Sequence, residues 1–119
     1  MSTARQLHNS YRDYLDIEQQ TDVRHEYIDG EIYAMAGGTP VHAFLAARLS
    51  GLLATQLPAG CRVGSSDLKV RIEATGLTTY PDLSIIRGPP QLSAIDENAV
   101  TNPVVLIEIT RPSTEDYDR

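Results

Sequence analysis

The sequence predicts one α+β domain with a mixed, mainly antiparallel sheet, one long helix packed across it and a β-hairpin near the N-terminus. Three observations carry that reading. An Asp-Gly pair separates two short runs rich in strand-forming residues. An apolar stretch opening at Thr39-Pro40 has helical spacing. Segments around 61–73, 80–86 and 103–110 have the composition and length of strands. At 119 residues the chain has room for a single domain, expected to span residues 1–119. Apolar residues at 41% and charged residues at 22% exclude a disordered chain.

Each element has its own local cause. Residues 10–20 predict a short helix, because Tyr11, Tyr14, Leu15 and Glu18 recur on one face and Ser10 suits the cap. Residues 24–36 predict a hairpin turning at Asp29-Gly30. A two-residue turn places Ile28 opposite Glu31 and Glu26 opposite Tyr33, so Glu26 and Glu31 share a face. Gly37-Gly38 ends that pattern, Thr39 caps the next helix and Pro40 suits its first turn. That helix runs over 40–57, with Val41, Phe44, Leu45, Leu49, Leu52 and Leu53 as its apolar stripe. It is expected to be the principal core helix, ended by Pro58 and Gly60.

Residues 61–73 alternate at their end, with Leu68, Val70 and Ile72 on one face and Lys69, Arg71 and Glu73 on the other. Residues 80–86 put Tyr80, Asp82, Ser84 and Ile86 on one face. Residues 103–110 are nearly all apolar and predict a central strand buried on both sides. Residues 87–102, with Gly88-Pro89-Pro90, are expected to be loop. Ser113, Thr114, Glu115 and Asp116 announce a further helix. A helix announced and cut at Arg119 suggests a truncated product.

The charge balance narrows the function. Ten Lys and Arg against sixteen Asp and Glu give a net charge of −6 and a pI near 4.9. Phosphate neutralisation drives non-specific nucleic-acid binding, so the acidity weighs against a strong stand-alone DNA binder. The balance does suit an enzyme that gathers carboxylates around a cation. One cysteine, Cys61, excludes an internal disulfide framework and a cysteine-based zinc site. The apolar runs are too short for a membrane-spanning helix, and no signal-peptide core stands at the N-terminus. The expected compartment is the cytoplasm.

Glu108 interrupts Val104-Val105-Leu106-Ile107-Glu108-Ile109. Burying an ionised carboxylate there is costly unless something pairs with it. Either it has reached solvent or an arginine at the strand end, or it is held for a cation. Asp82 is the second candidate, since aspartate is a poor strand former. If the two strands are neighbours, about 4.8 Å apart, both carboxylates can grip one ion. Hard oxygen ligands suit Mg²⁺ or Mn²⁺. His42 stands at the start of the core helix, either as a hydrogen-bonded core histidine or as a site residue. Glu26 and Glu31 read as solvated hairpin acids or as further site acids. Lys69 reads as a solvent-face strand residue and Cys61 as inert core. The six tyrosines are scattered and form no stacking platform.

Glu26-Tyr27-Ile28-Asp29-Gly30-Glu31-Ile32-Tyr33, then His42, then Pro81-Asp82, then Val105-Leu106-Ile107-Glu108-Ile109 and Pro112-Ser113-Thr114 occur in that order. Over roughly residues 10–119 this resembles the bacterial Uma2 family of restriction-endonuclease-type proteins, within the PD-(D/E)XK nuclease superfamily. The resemblance implies a restriction-endonuclease-like core: helix, three-stranded antiparallel meander over 61–73, 80–86 and 103–110, helix and further strand, with the hairpin as a decoration. It implies that Asp82 is the metal-binding acid of the PD motif and Glu108 the acid of the second motif. Glu31 and His42, with Glu26, would line the same pocket. The superfamily lysine two residues after that acid is Thr110 here, and the family supplies a lysine from the following helix instead.

The function expected from the sequence is therefore a Mg²⁺- or Mn²⁺-dependent endonuclease, with Asp82 and Glu108 as metal ligands and Asp82, Glu108, His42 and Glu31 as catalytic residues. DNA is the expected substrate and a symmetric homodimer the expected assembly for cutting two strands. Without a suitable lysine the 119-residue chain is expected to cut poorly. The alternative is a non-catalytic acidic interaction module on a degenerate nuclease fold.

Overall fold

The computed structural model describes residues 8–110, which form α1 (Tyr11–Gln20), β1 (His25–Ile28), β2 (Glu31–Ala34), α2 (Pro40–Gln56), β3 (Cys61–Gly64), β4 (Lys69–Ile72), β5 (Leu77–Thr79), β6 (Leu83–Arg87), β7 (Leu92–Ser93), β8 (Asp96–Val100) and β9 (Pro103–Ile107). The α+β class is as the sequence predicts. The helix announced at 113–119 lies outside the described residues.

Local signals place the first elements. Ser10 and Asp13 form a reciprocal capping box at α1, each side chain accepting the other's backbone N–H. Asp29 and Gly30 both take positive φ, 51° and 82°, the pair of left-handed residues that a tight hairpin turn requires. The register is the expected one, with Ile28 opposite Glu31 and Glu26 opposite Tyr33. Thr39 caps α2 by accepting the His42 N–H, and Pro40 opens the helix.

The sheet organisation differs from expectation. The strands form two sheets. One has six strands in the order β2-β1-β5-β4-β8-β7; the other has three in the order β3-β6-β9. The three-stranded sheet is antiparallel throughout, so 61–64, 83–87 and 103–107 do make the meander. Residues 61–73, however, are two strands in two sheets. They break at 65–67, where Ser65 accepts the Leu68 N–H and the chain turns. The hairpin is no decoration, because Tyr27 of β1 pairs with Thr78 of β5 and makes it part of the six-stranded sheet. The expected loop over 87–102 holds β7 and β8, and β8 runs parallel to β4.

Burial is inverted relative to the sequence pattern. β6, not 103–110, is the buried central strand: Leu83, Ser84, Ile85 and Ile86 are all inside. Among the described residues β9 is an edge strand, with Val104, Val105 and Leu106 exposed. Among the described residues α2 does not form the core. None of its residues is buried, and Phe44 is 73% exposed. Its small residues Ala43, Ala46, Ala47 and Ser50 turn toward the sheets instead.

An aromatic and charged cluster packs beside α1. Tyr11, Tyr14 and Tyr27 are not scattered; their ring centroids lie 5.2–5.7 Å apart. Lys69 is not a solvent-face residue. It is buried, 2.8 Å from the Asp96 carboxylate, with its ammonium 5.4 Å from the Tyr14 ring centroid. Tyr11 also donates to Asp96 at 2.7 Å. Cys61 is a half-buried free thiol.

Candidate active site

A cleft opens where the chain passes between the sheets. β3 leads to β4 through 65–68, and β5 leads to β6 through Tyr80-Pro81-Asp82. These crossings, the approach to β1, the inner face of α2 and the end of β9 enclose about 1270 Å³.

Asp82 lines this cleft and is fixed in place. Buried Pro81 restrains the backbone before it, and β6 begins directly after it. Both carboxylate oxygens have protein partners. The Ile109 N–H donates to Oδ2 at 2.6 Å, and His42 Nε2 lies 3.1 Å from Oδ1. A carboxylate only accepts, so the second contact needs the proton on Nε2. His42 is held there by the α2 cap, with only 13% of its side chain exposed.

Glu108 faces Asp82. Leu83 pairs with Ile107, so Asp82, directly before β6, and Glu108, directly after β9, adjoin at the same end of the antiparallel ladder. Burial pushes the Glu108 carboxyl above its ordinary range, the Asp82 charge pushes it further, and Glu26 adds to the effect. Glu26 also lines the cleft.

The structure thus brings Asp82, Glu108, His42 and Glu26 together. It does not bring Glu31, which the sequence reading placed with them. Glu31 sits at the exposed end of the hairpin, accepts the Tyr33 hydroxyl and is not among the cleft residues. The shared face of the hairpin is real, but it runs out of the cleft at its turn. Two cleft residues escaped the sequence: Tyr80, whose phenol donates to Glu18 at 3.2 Å, and Arg24, whose guanidinium lies 5.2 Å from the Tyr80 ring centroid. Tyr80 preceded the Pro-Asp pair and could have been suspected from it. Arg24 carries no local signal.

The donor set suits a hard divalent cation in a minimal way. Among the described residues no group of three His, Cys, Asp or Glu side chains forms a ready-made cage. Mg²⁺ does not need one. It is commonly held by one or two carboxylates, with waters and substrate phosphate completing the octahedron. Two facing carboxylates, one of them pushed up by the other's charge, fit that requirement.

Comparison with known proteins places the chain. The model of the family Uma2, "putative restriction endonuclease", matches residues 11–119. Two uncharacterized proteins of Synechocystis sp. are similar. One is 40% identical over 111 residues, covering 92% of this chain and 57% of the relative. The other is 32% identical over 110 residues, covering 90% and 61%. The chain therefore spans about six tenths of the length of these relatives. The fold matches the crystal structure of a "putative nuclease" from Anabaena variabilis with a TM-score of 0.63, at 19% identity, over 88% of this chain and 63% of that one.

Proposed function

We propose a nuclease reading for this chain, which belongs to the Uma2 family described as putative restriction endonucleases. On this reading the chain is a Mg²⁺- or Mn²⁺-dependent endonuclease domain acting on DNA phosphodiesters. The observation that carries it is the Asp82–Glu108 pair, set face to face at the end of β6 and β9 inside a cleft.

Asp82 and Glu108 would hold the cation. When bound, such an ion lowers the pKa of a coordinated water and polarises the scissile phosphate. The chain's own residues orient that chemistry. The Ile109 N–H and His42 fix the two oxygens of Asp82, so its carboxylate cannot turn away from Glu108. Glu26 adds negative charge that favours a cation over a bare phosphate. Charge developing on the phosphate would normally be met by a lysine. Thr110 stands at the superfamily position, and Lys69, the sequence's sole lysine, is buried against Asp96 and out of reach.

The test is a thermal melt with Mn²⁺. A cation binding the native state alone at a hundred times its Kd adds about 2.7 kcal/mol, so the wild-type midpoint rises. Asp82→Ala removes that rise, and Glu108→Ala removes metal-dependent nicking of plasmid DNA. An equal rise in wild type and Asp82→Ala overturns the metal site. One observation favours a second reading, a non-catalytic interaction module: both Asp82 oxygens already have protein partners. No rise in either protein selects that reading.

A further inference from the structure

We infer that Arg24 is the substrate-phosphate grip of this cleft and that Asp67 holds it in reserve. The inference rests on the nuclease reading above and adds a positioning residue to it.

The cleft's electrostatics pose the problem. Asp22, Glu26, Asp82 and Glu108 line it, and a nucleic-acid strand entering meets four carboxylates. A cation at Asp82 and Glu108 offsets that charge at the reacting phosphate alone. The phosphates on either side need their own partner. Among the described residues lining the cleft, Arg24 is the single Lys or Arg.

Its surroundings are those of a group held ready. Arg24 lies just before β1 and reaches across to the turn between β3 and β4. There it pairs with Asp67 and donates from Nη1 to the Ser66 carbonyl at 2.8 Å. The guanidinium rests against the face of Tyr80, 5.2 Å from the ring centroid. Tyr80 precedes Asp82 by two residues, roughly 6.6 Å of extended chain. Arg24 is thus offset from the acids and suits a neighbouring phosphate rather than the one being cut. Its planar fork matches two phosphate oxygens.

Exchange of partners is cheap. Arg24 and Asp67 side chains are 43% and 78% exposed, and pairs this open contribute little to stability. Releasing Asp67 costs the fold almost nothing, while Tyr80 still backs the guanidinium. A phosphate brings a charge-assisted bidentate contact in exchange. Asp67 therefore competes with the substrate for the same guanidinium.

The experiment is fluorescence anisotropy of a short labelled oligonucleotide, single- and double-stranded, with the full chain in Ca²⁺ over a range of salt. Arg24→Gln is expected to weaken binding about tenfold and to lower the slope of log K against log salt by about 1. Asp67→Asn is expected to tighten binding up to about fivefold. Thermal midpoints of both variants stay close to wild type. If both variants bind as wild type does, the Arg24 assignment falls and the nuclease reading stands. If both weaken binding with lowered midpoints, Arg24–Asp67 is a structural brace and the assignment falls. If the wild-type chain does not bind DNA at all, the nuclease reading falls and takes this one with it.

Discussion

Around Tyr14, Lys69 and Asp96 are buried 2.8 Å apart, and Tyr11 and the Asn98 N–H complete the carboxylate's bonding. In the cleft, Asp82 and Glu108 set like charge against like charge on facing strand ends. The first arrangement is closed: opposite charges satisfy each other and leave nothing for a ligand. The second is held open by the fold at a cost that a cation, on the proposed reading, would relieve. Burial by itself does not mark function here. Among the described residues the most deeply buried ion pair is satisfied within the fold, and the acids of the proposed site are the partly exposed ones.

The comparison breaks first at Asp96. Asp96→Ala leaves the Lys69 ammonium buried without its partner, which costs about 3–5 kcal/mol. Urea unfolding measures it, and a loss below about 1 kcal/mol would mean that Lys69 escapes to water. Acid tests the same pair. Burial would raise the Asp96 carboxyl, but bonds from Lys69, Tyr11 and the Asn98 N–H outweigh it and hold the group below its ordinary range. Its contribution is therefore full above the ordinary carboxylate range and is lost as pH falls through the folded value. Asp96→Asn should flatten that acid limb.

The pair also shows why parts of the fold were illegible in the sequence. Alternation put Lys69 on the polar face, and the alternation is real. The residue that buries it, Asp96, lies 27 positions away in a segment that reads as loop. β8 holds Asp, Glu and Asn and little that is β-branched; pairing with β4 and β7 makes it a strand, not propensity. The hairpin and both helix starts were legible because their causes are local: two turn residues, two caps, one proline. In the site, Asp82, Glu108 and His42 were legible as chemistry that an apolar context does not explain. The exclusion of Glu31 was not, because it depends on where the cleft ends.

α2 is the second place to sharpen the contrast. Apolar residues occupy nearly every side of it, with Ala43, Ala46 and Ala47 on one face and Val41, Phe44, Leu45 and Leu52 on another. The sequence could not tell which face turns inward. Since Phe44 is 73% exposed, Phe44→Ala should change stability by no more than about 0.5 kcal/mol. Leu83→Ala, in the buried central strand, should cost about 2–5 kcal/mol by comparison. Equal losses in the two variants would mean that Phe44 is covered in solution.

The smallest effect expected is at Glu108. Its carboxyl is pushed upward, so the folded state holds the proton more firmly than the unfolded chain does. Stability attached to this group is thus present at low pH and declines as pH rises through the window between the ordinary and the raised value. Glu108→Gln removes that decline while leaving Asp82 bound to His42 and the Ile109 N–H. The residue is partly exposed, and water screens the repulsion, so without metal the variant should gain no more than about 0.5 kcal/mol near neutral pH. With Mn²⁺ the order should reverse if the proposed site holds the ion. The wild type gains from a two-carboxylate grip, and the variant, with Asp82 alone, gains less. A variant that is less stable than wild type in the absence of metal would show that Glu108 is paired in solution with a cationic group of the chain itself. Asp82 and Glu108 would then form a closed site like that around Lys69, and the two halves of the molecule would no longer differ.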